Sequence, residues 1–241
     1  MTTFVLVHGA WTGAYGFRQV RKLLQAQGHD VFTPSLTGIG DRAHLASPQV
    51  TLRTHVHDVA NLVLYEDLSH IVLLGFSYGG FVVSGALEHI ADRVEHLVYL
   101  DALVPEFSGQ SVLALVRGAD TCAPVQLNEA WVLPAPEREF DSPDEGRWIR
   151  ARRTGQPAGT FTDPVHLSRP LEDHPFSRTY IAATAHPPGD PGLGAIGRCA
   201  ARIRSSKAWQ YAEISTGHMV ASNRPAELTR ILLERVAGGQ R

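Results

Sequence analysis

The sequence predicts an α/β fold with a mostly parallel sheet of about six strands and helices on both faces. Short apolar runs typical of buried strands alternate along the chain with segments whose apolar residues have helical spacing. Parallel strands that follow one another in this way need connecting helices on both faces of the sheet. Polar residues stand at the ends of several predicted strands, at the edge where such sheets carry their functional sites.

The first half of the chain supplies three strands and two helices in alternation. Continuous apolar runs predict the strands, and apolar residues three or four positions apart predict the helices. Gly28 is a plausible C-terminal cap for the first helix. The predicted strands are 3–7, 31–34 and 71–74, and the predicted helices run over 17–24 and 51–65.

The second half continues the same pattern after an interruption. An amphipathic helix is predicted to start near Phe81, and strands are predicted over 94–101, 179–183 and 209–214, with helices over 193–203 and 225–236. Residues 106–177 lack the alternation and are rich in proline. We therefore predict a core of residues 1–105 and 178–241 and a mostly helical cap insertion, 106–177, over one end of the sheet. Its aromatic residues Trp131 and Trp148 are expected to line a substrate pocket.

Composition limits the classes of partner. A net charge of −2 and an isoelectric point near 6.6 give no basic surface for nucleic acid, so no nucleic-acid partner is expected. Two cysteines, Cys122 and Cys199, make neither a disulfide framework nor a metal cluster and are expected to be buried thiols in the cytoplasm. Neither a leader pattern nor an apolar run of about 18 residues is visible, so no membrane association is expected. The expected partner is a small-molecule substrate, and a homodimer is left open.

The predicted strand 71–74 leads into the motif G-F-S-Y-G at 75–79, and a helix follows at once. A G-x-S-x-G motif between a strand and a helix is typical of a nucleophile elbow, in which a sharp turn presents the serine hydroxyl. The two glycines avoid collisions with the neighbouring strand and helix. Ser77 is thus the candidate nucleophile, and the alternative is a glycine-rich turn with an idle serine.

Three segments carry a resemblance to a known family. They are V-L-V-H-G-A-W at 5–11, G-F-S-Y-G-G at 75–80 and T-G-H-M at 216–219. The chain resembles the α/β-hydrolase fold family, and within it the plant methylesterases and hydroxynitrile lyases with their small bacterial relatives. The resemblance covers nearly the whole chain and is weakest in the insertion. It implies an α/β-hydrolase fold and a serine esterase that needs no cofactor.

A serine hydroxyl needs a base to remove its proton, and the chain has 12 histidines. His218 follows the last predicted strand and precedes the last helix, and the resemblance implies the catalytic base at that place. His8 follows an apolar strand by one residue, which favours a buried histidine that fixes the loop. His55 and His57 lie on a predicted helix, where positions i and i+2 do not face each other, so no metal is expected.

Two carboxylates compete for the role of holding the histidine. Most family members place this acid after the strand predicted here at 179–183, which implies Asp190, 28 residues before His218. The segment 185–189 separates Asp190 from that strand. Asp101 ends an apolar strand, where an unpaired charge would be costly, and some dehalogenases of the fold have their acid after this strand. Asp101 is the preferred candidate, and Asp190 is the alternative.

The resemblance also implies an oxyanion hole made by the backbone N–H groups of Ala10 and Tyr78. Trp11 either lines the acyl pocket or packs the loop. The family's hydroxynitrile lyases have Thr in place of Gly9 and Lys in place of Met219, so this chain has the esterase pattern at both positions. The prediction is a serine hydrolase that cleaves a small, fairly apolar ester, lactone or carbamate. The alternatives are a cyclase or C–C bond hydrolase with the same triad, and a non-catalytic binding protein on this scaffold.

Overall fold

The computed structural model describes residues 1–118 and 131–238. Six strands form one sheet in the order β2-β1-β3-β4-β7-β8, and every neighbouring pair in it is parallel. Two further strands form a separate antiparallel ladder. The strands in chain order are Thr3–Val7 (β1), Asp30–Phe32 (β2), Ile71–Phe76 (β3), Val94–Leu100 (β4), Val132–Leu133 (β5), Gln156–Pro157 (β6), Ser177–Ala183 (β7) and Gln210–Ile214 (β8).

The helices of the described chain alternate with these strands. Short 3₁₀ turns at Ala14–Phe17 and Gly40–Leu45 precede α1 and α2. The helices are Arg18–Gln25 (α1), Leu52–Tyr65 (α2), Gly79–Ile90 (α3), Val112–Arg117 (α4), Pro143–Arg150 (α5), Gly159–Thr162 (α6), Pro191–Arg204 (α7), Val220–Asn223 (α8) and Pro225–Gly238 (α9). The predicted six-stranded parallel sheet with helices between its strands is confirmed.

The sheet is apolar on both faces because helices cover both. In β1, Val5 and Val7 pack into a core with α2 and α3, whereas Phe4 and Leu6 point to the opposite face and pack with α1 and α9. Successive side chains of a strand alternate between the faces. This two-sided burial explains why the strands appear in the sequence as continuous apolar runs rather than alternating patterns.

The strand order changes direction between β1 and β3. From β1 the chain first adds β2 on one side, and it then crosses back to place β3 on the other side. Where the strand order changes direction, the loops that follow the two neighbouring strands run apart and leave a crevice at their carboxyl ends. The loop after β1 and the serine after β3 both border this crevice.

Two parts of the structure differ from the sequence-based expectation. Helix α3 is buried almost all round rather than amphipathic, because α2 and the insertion cover the side away from the sheet; a Cβ at Gly85 would lie 2.6 Å from Val56. The described part of residues 106–177 has three short helices, one 3₁₀ turn and the β5–β6 ladder, with irregular chain between them. It contains less helix than predicted, since its prolines interrupt regular backbone hydrogen bonding.

Among the helices in residues 1–118 and 131–238, none has both the length and the apolar character that crossing a membrane requires.

Candidate active site

Ser77 occupies a sharp turn between β3 and α3. Its φ of 55° lies in the left-handed region, which is strained for a residue with a side chain. Hydrogen bonds of 3.1 Å from the N–H groups of Gly80 and Leu103 to the Ser77 carbonyl hold this conformation. The turn lifts the serine side chain above the carboxyl end of the sheet, beside the amino end of α3.

The glycines of the elbow are required by close packing. A Cβ on Gly75 would lie 2.6 Å from the carbonyl oxygen of Gly79. One on Gly79 would lie 2.8 Å from the carbonyl oxygens of Val7 and His8 at the end of β1. Any side chain at either position would push the helix away from the sheet and displace Ser77.

The structure brings Ser77, His218 and Asp101 into one chain of hydrogen bonds. The distance from Ser77 Oγ to His218 Nε2 is 3.0 Å, and the distance from His218 Nδ1 to Asp101 Oδ2 is 2.7 Å. An ionised carboxylate only accepts, so Nδ1 carries the proton and donates to Asp101. Nε2 is then free to accept the hydrogen of the Ser77 hydroxyl. This is the tautomer that a general base needs.

The protonation states of these side chains also suit base catalysis. Burial lowers the pKa of His218, and the bond to Asp101 only partly opposes this, so the imidazole is neutral at pH 7. Burial alone would raise the pKa of Asp101, but hydrogen bonds from His186 and His218 outweigh it and leave that pKa lowered. The site therefore pairs a charged carboxylate with a neutral imidazole.

Asp101 is fully buried, directly after β4, with a φ of 43°. The N–H of Ala183, at the end of β7, donates to its Oδ1 at 3.0 Å. A second histidine, His186, lies with Nε2 2.7 Å from Oδ2, the oxygen that His218 also uses. His186 was not predicted as a site residue; its one signal in the sequence is that it follows a predicted strand by three residues, at the active edge of the sheet.

Asp190 lies apart from the triad. Its Oδ1 accepts the N–H of Leu193 at 3.0 Å and so caps α7, and its Oδ2 pairs with Arg138 at 2.7 Å. The residues 185–189 carry it away from the end of β7. The geometry thus favours Asp101 over Asp190 as the partner of His218.

The loop after β1 approaches Ser77 from the other side of the elbow. Within residues 1–118 and 131–238, the N–H groups of Ala10 and Tyr78 donate no hydrogen bond to a protein acceptor. Trp11, with a φ of 60°, donates its N–H to Gln156 Oε1 at 3.0 Å and its indole N–H to the Leu133 carbonyl at 3.0 Å. These bonds attach the loop to the insertion and fix its approach to Ser77.

The other histidines near the site have structural partners. The His8 ring accepts the N–H of Leu36 at 3.1 Å, and burial lowers its pKa to about 4, in agreement with a neutral, loop-fixing histidine. His55 lies 2.9 Å from the Tyr78 hydroxyl, and its other ring nitrogen is 2.7 Å from a carbonyl oxygen. It therefore supports the elbow rather than a metal site with His57.

In the described part of the chain, one set of side chains could bring three metal ligands together. The ligating atoms of Asp101, His186 and His218 lie within 4.8 Å of one another. The hydrogen bonds above already use each of these atoms. Cys199 is a buried free thiol 3.5 Å from the Val104 N–H, and Cys122 lies outside the described residues.

A cavity of about 1150 Å³ opens above Ser77 and His218. Its walls are mostly apolar and are formed by Trp11 and Tyr78 together with side chains of the insertion and α7. The apolar side chains from the insertion and α7 include Leu113, Val116, Leu133, Phe161, Leu193 and Ile196. Charged groups, among them Arg138 and Asp190, also border it. Such a cavity accepts an apolar ligand of drug-like size.

The two tryptophans predicted to line the pocket lie elsewhere. Trp131 is 43% exposed and is absent from the cavity walls. The ring of Trp148 lies between the guanidinium groups of Arg18 and Arg152, each 4.0 Å from its centre. Cation–π contacts hold it on the outer surface of α5. Leu133 and Phe161 provide apolar walls from the insertion in their place, whereas Trp11 does line the cavity.

Comparison with known proteins agrees with this architecture. The model of the alpha/beta hydrolase family matches residues 4–231. The carbendazim hydrolyzing esterase of Nocardioides sp. (strain SG-4G) is 35% identical, over 96% of this chain and 98% of its own length. The pyrethroid hydrolase of Sphingobium wenxiniae is 34% identical over 43% of this chain, which corresponds to 37% of its own length.

Solved structures give the same fold. A methylesterase from Arabidopsis superposes with a TM-score of 0.75 at 22% identity, over 98% of this chain and 99% of the other. At this level of identity the likeness concerns the fold.

Proposed function

The chain belongs to the alpha/beta hydrolase family and is a carboxylesterase-type hydrolase, and on this premise we propose that it cleaves its substrate through an acyl-enzyme on Ser77. The hydrogen-bonded series of Ser77, His218 and Asp101 is the observation that carries the proposal. A neutral imidazole beside a serine hydroxyl, oriented by an ionised carboxylate, is the arrangement that activates a serine.

In the proposed reaction, Ser77 Oγ attacks the carbonyl carbon while its proton moves to His218 Nε2. Asp101 stabilises the imidazolium that forms. The N–H groups of Ala10 and Tyr78 donate to the oxyanion of the tetrahedral intermediate. As the intermediate collapses, the leaving oxygen or nitrogen takes the proton from His218. Water then attacks the acyl-enzyme by the same route and restores Ser77.

We propose an apolar, aromatic ester or carbamate as the substrate class. The cavity has mostly apolar walls and room for more than a short-chain ester. The relative from Nocardioides, which aligns over 98% of its own length, is named a carbendazim hydrolyzing esterase. A carbamate presents the same carbonyl chemistry to Ser77 as an ester, with a less reactive carbon. The cytoplasmic location stays a prediction, and the homodimer stays an open possibility.

Labelling with a fluorophosphonate tests the proposed nucleophile. We expect one covalent adduct per chain, and peptide mapping should place it on Ser77. Turnover should follow on p-nitrophenyl esters and on methyl N-aryl carbamates, and Ser77→Ala should lose both the label and the turnover. A folded wild-type protein that takes no label and turns over neither substrate class would instead favour a binding protein on this scaffold.

We also propose that residues 106–177 act as a cap that forms one wall of the substrate cavity. Val116→Phe, on α4, should fill part of the cavity and lower kcat/KM for long or aromatic acyl groups about tenfold relative to acetyl, since a methylene in an apolar pocket is worth roughly 1–3 kcal/mol. An acyl-chain-length series of p-nitrophenyl esters measures this.

The matched control for the cap experiment is Trp148→Ala. Trp148 belongs to the same insertion but lies outside the cavity, so its removal should leave the chain-length profile unchanged. If Val116→Phe folds and its acyl-chain-length profile is the same as that of the wild type, α4 does not form part of the wall that binds the substrate.

A further inference from the structure

We propose that His186 is a positioning residue for the reaction, because the N–H of its Nε2 holds the Asp101 carboxylate in the orientation that His218 requires. The inference rests on the proposed function of the triad. The bond is 2.7 Å long, as short as the one from His218, and both end on Oδ2. The two imidazoles lie at 74° to each other, with their centres 6.1 Å apart.

Asp101 depends on its donors because it is fully buried. A buried carboxylate needs hydrogen bonds to stay ionised. In the part of the chain that the structure describes, three N–H groups donate to it: Ala183 to Oδ1, and His186 and His218 to Oδ2. The first lies on β7, the second on the loop that leaves β7, and the third after β8. With His186 removed, the Ala183 bond would be the one described bond, besides that to His218, that restrains the rotation of the carboxylate.

The position of His186 in the chain, just after β7, explains how it reaches Asp101. The resemblance implies that most family members place the acid after β7, whereas the acid that contacts His218 here is Asp101, the preferred candidate, at the end of β4. His186 leaves the end of β7 and reaches Asp101 from that side. The N–H of Ala185 bonds to the Thr216 carbonyl at 3.0 Å and ties this loop to the one that bears His218.

His186 should also influence the charge of His218. The groups that face it are Asp101 from β4, His218 from the loop after β8, Asp190 from the start of α7 and Arg138 from the insertion. The hydrogen bond and charge of Asp101 raise the pKa of His186, whereas the pKa of His218 is lowered. As pH falls, His186 therefore gains its proton first, and its charge opposes protonation of His218.

Two substitutions separate these effects. His186→Leu removes both the donor and the charge, whereas His186→Gln keeps an N–H at the same reach and removes the charge. We expect His186→Leu to lower kcat about tenfold, the scale of one hydrogen bond to a charged group, and His186→Gln to recover most of that loss. In both variants the acid limb of the pH profile of kcat/KM, where His218 gains a proton, should move to higher pH by about half a unit. The reason is that the positive charge of His186, which opposes protonation of His218, is absent.

The control is His96→Gln. His96 is also buried and hydrogen-bonded, to Ser177 and Thr179, but it lies at the opposite end of β4. Its substitution should leave the acid limb where it is. An unmoved acid limb in His186→Gln, or a kcat as low in His186→Gln as in His186→Leu, would overturn the inference. If His186→Leu does not fold, the acid limb and kcat of His186→Gln against wild type decide the outcome.

These results stay distinct from failure of the proposed function. Loss of turnover in Ser77→Ala and fluorophosphonate labelling of wild type test the nucleophile without reference to His186. If the wild type is active but the substitutions of His186 change neither kcat nor the acid limb, the positioning role is refuted and the proposed function is not.

Discussion

Ser77→Ala should keep the fold and lose about 10³-fold or more in kcat, the scale seen when a triad nucleophile is removed. Among the described residues, the serine Oγ makes one hydrogen bond, to His218 Nε2, and its backbone bonds to Gly80 and Leu103 do not depend on the side chain. Alanine fits the space that the serine leaves. The variant therefore lacks the nucleophile, while the backbone of the elbow keeps its conformation.

The measurement is steady-state turnover of a p-nitrophenyl ester, with thermal unfolding as the check on folding. A small residual rate above the uncatalysed reaction is expected, because the proposed oxyanion donors of Ala10 and Tyr78 remain. Activity within tenfold of wild type would exclude Ser77 as the nucleophile. As a matched control, Ser84→Ala removes a buried serine of α3 that bonds to Tyr99 and lies outside the active site. It should affect stability more than kcat.

The sheet, and the edge of the sheet at which the functional loops lie together, could be predicted because both follow from the pattern of apolar residues along the chain. Continuous apolar runs fix the strands, and the carboxyl ends of parallel strands share one edge. Asp101 ends a predicted strand, and Ser77 and His218 each come a few residues after one. Their convergence at one edge of the sheet could therefore be predicted without knowledge of the loops. The short strand β2, predicted at 31–34 and found at Asp30–Phe32, shows the accuracy that such patterns allow at element ends.

The details of the insertion could not be predicted from residue type. Trp131 and Trp148 are large and apolar, which favours a pocket, but a tryptophan ring is also attracted to guanidinium groups. Trp148 meets one guanidinium from α1 and another just after α5, and only the folded chain brings these together. Leu133 and Phe161, which do line the cavity, have no distinguishing pattern in the sequence.

His186 escaped prediction for a related reason. A histidine in a loop of prolines and glycine has the composition of a surface turn. Its contact with Asp101 depends on the course of the chain after β7 and on the positive φ of Asp101 after β4. Neither is encoded in a local periodicity.

Asp101→Asn should fold and lose about 10⁴-fold in kcat near neutral pH, since an amide in place of the carboxylate favours the wrong tautomer of the histidine. Asparagine has one acceptor oxygen and one NH₂ donor, whereas Asp101 accepts on both oxygens, from Ala183, His186 and His218. Where the NH₂ group faces Nδ1 of His218, the proton must move to Nε2, which can then no longer accept from Ser77.

Asp190→Asn is the matched control for Asp101→Asn, because it makes the same chemical change in the other candidate acid. Asp190 caps α7 and pairs with Arg138, and asparagine still caps a helix, so we expect kcat to fall less than tenfold. Both variants are compared by kcat on one ester, with fluorophosphonate labelling rates as a second measure of the reactivity of Ser77. Labelling should slow strongly in Asp101→Asn and little in Asp190→Asn. The opposite ranking, in two folded proteins, would assign the acid to Asp190 and would require a different arrangement of the loop after β7 during catalysis.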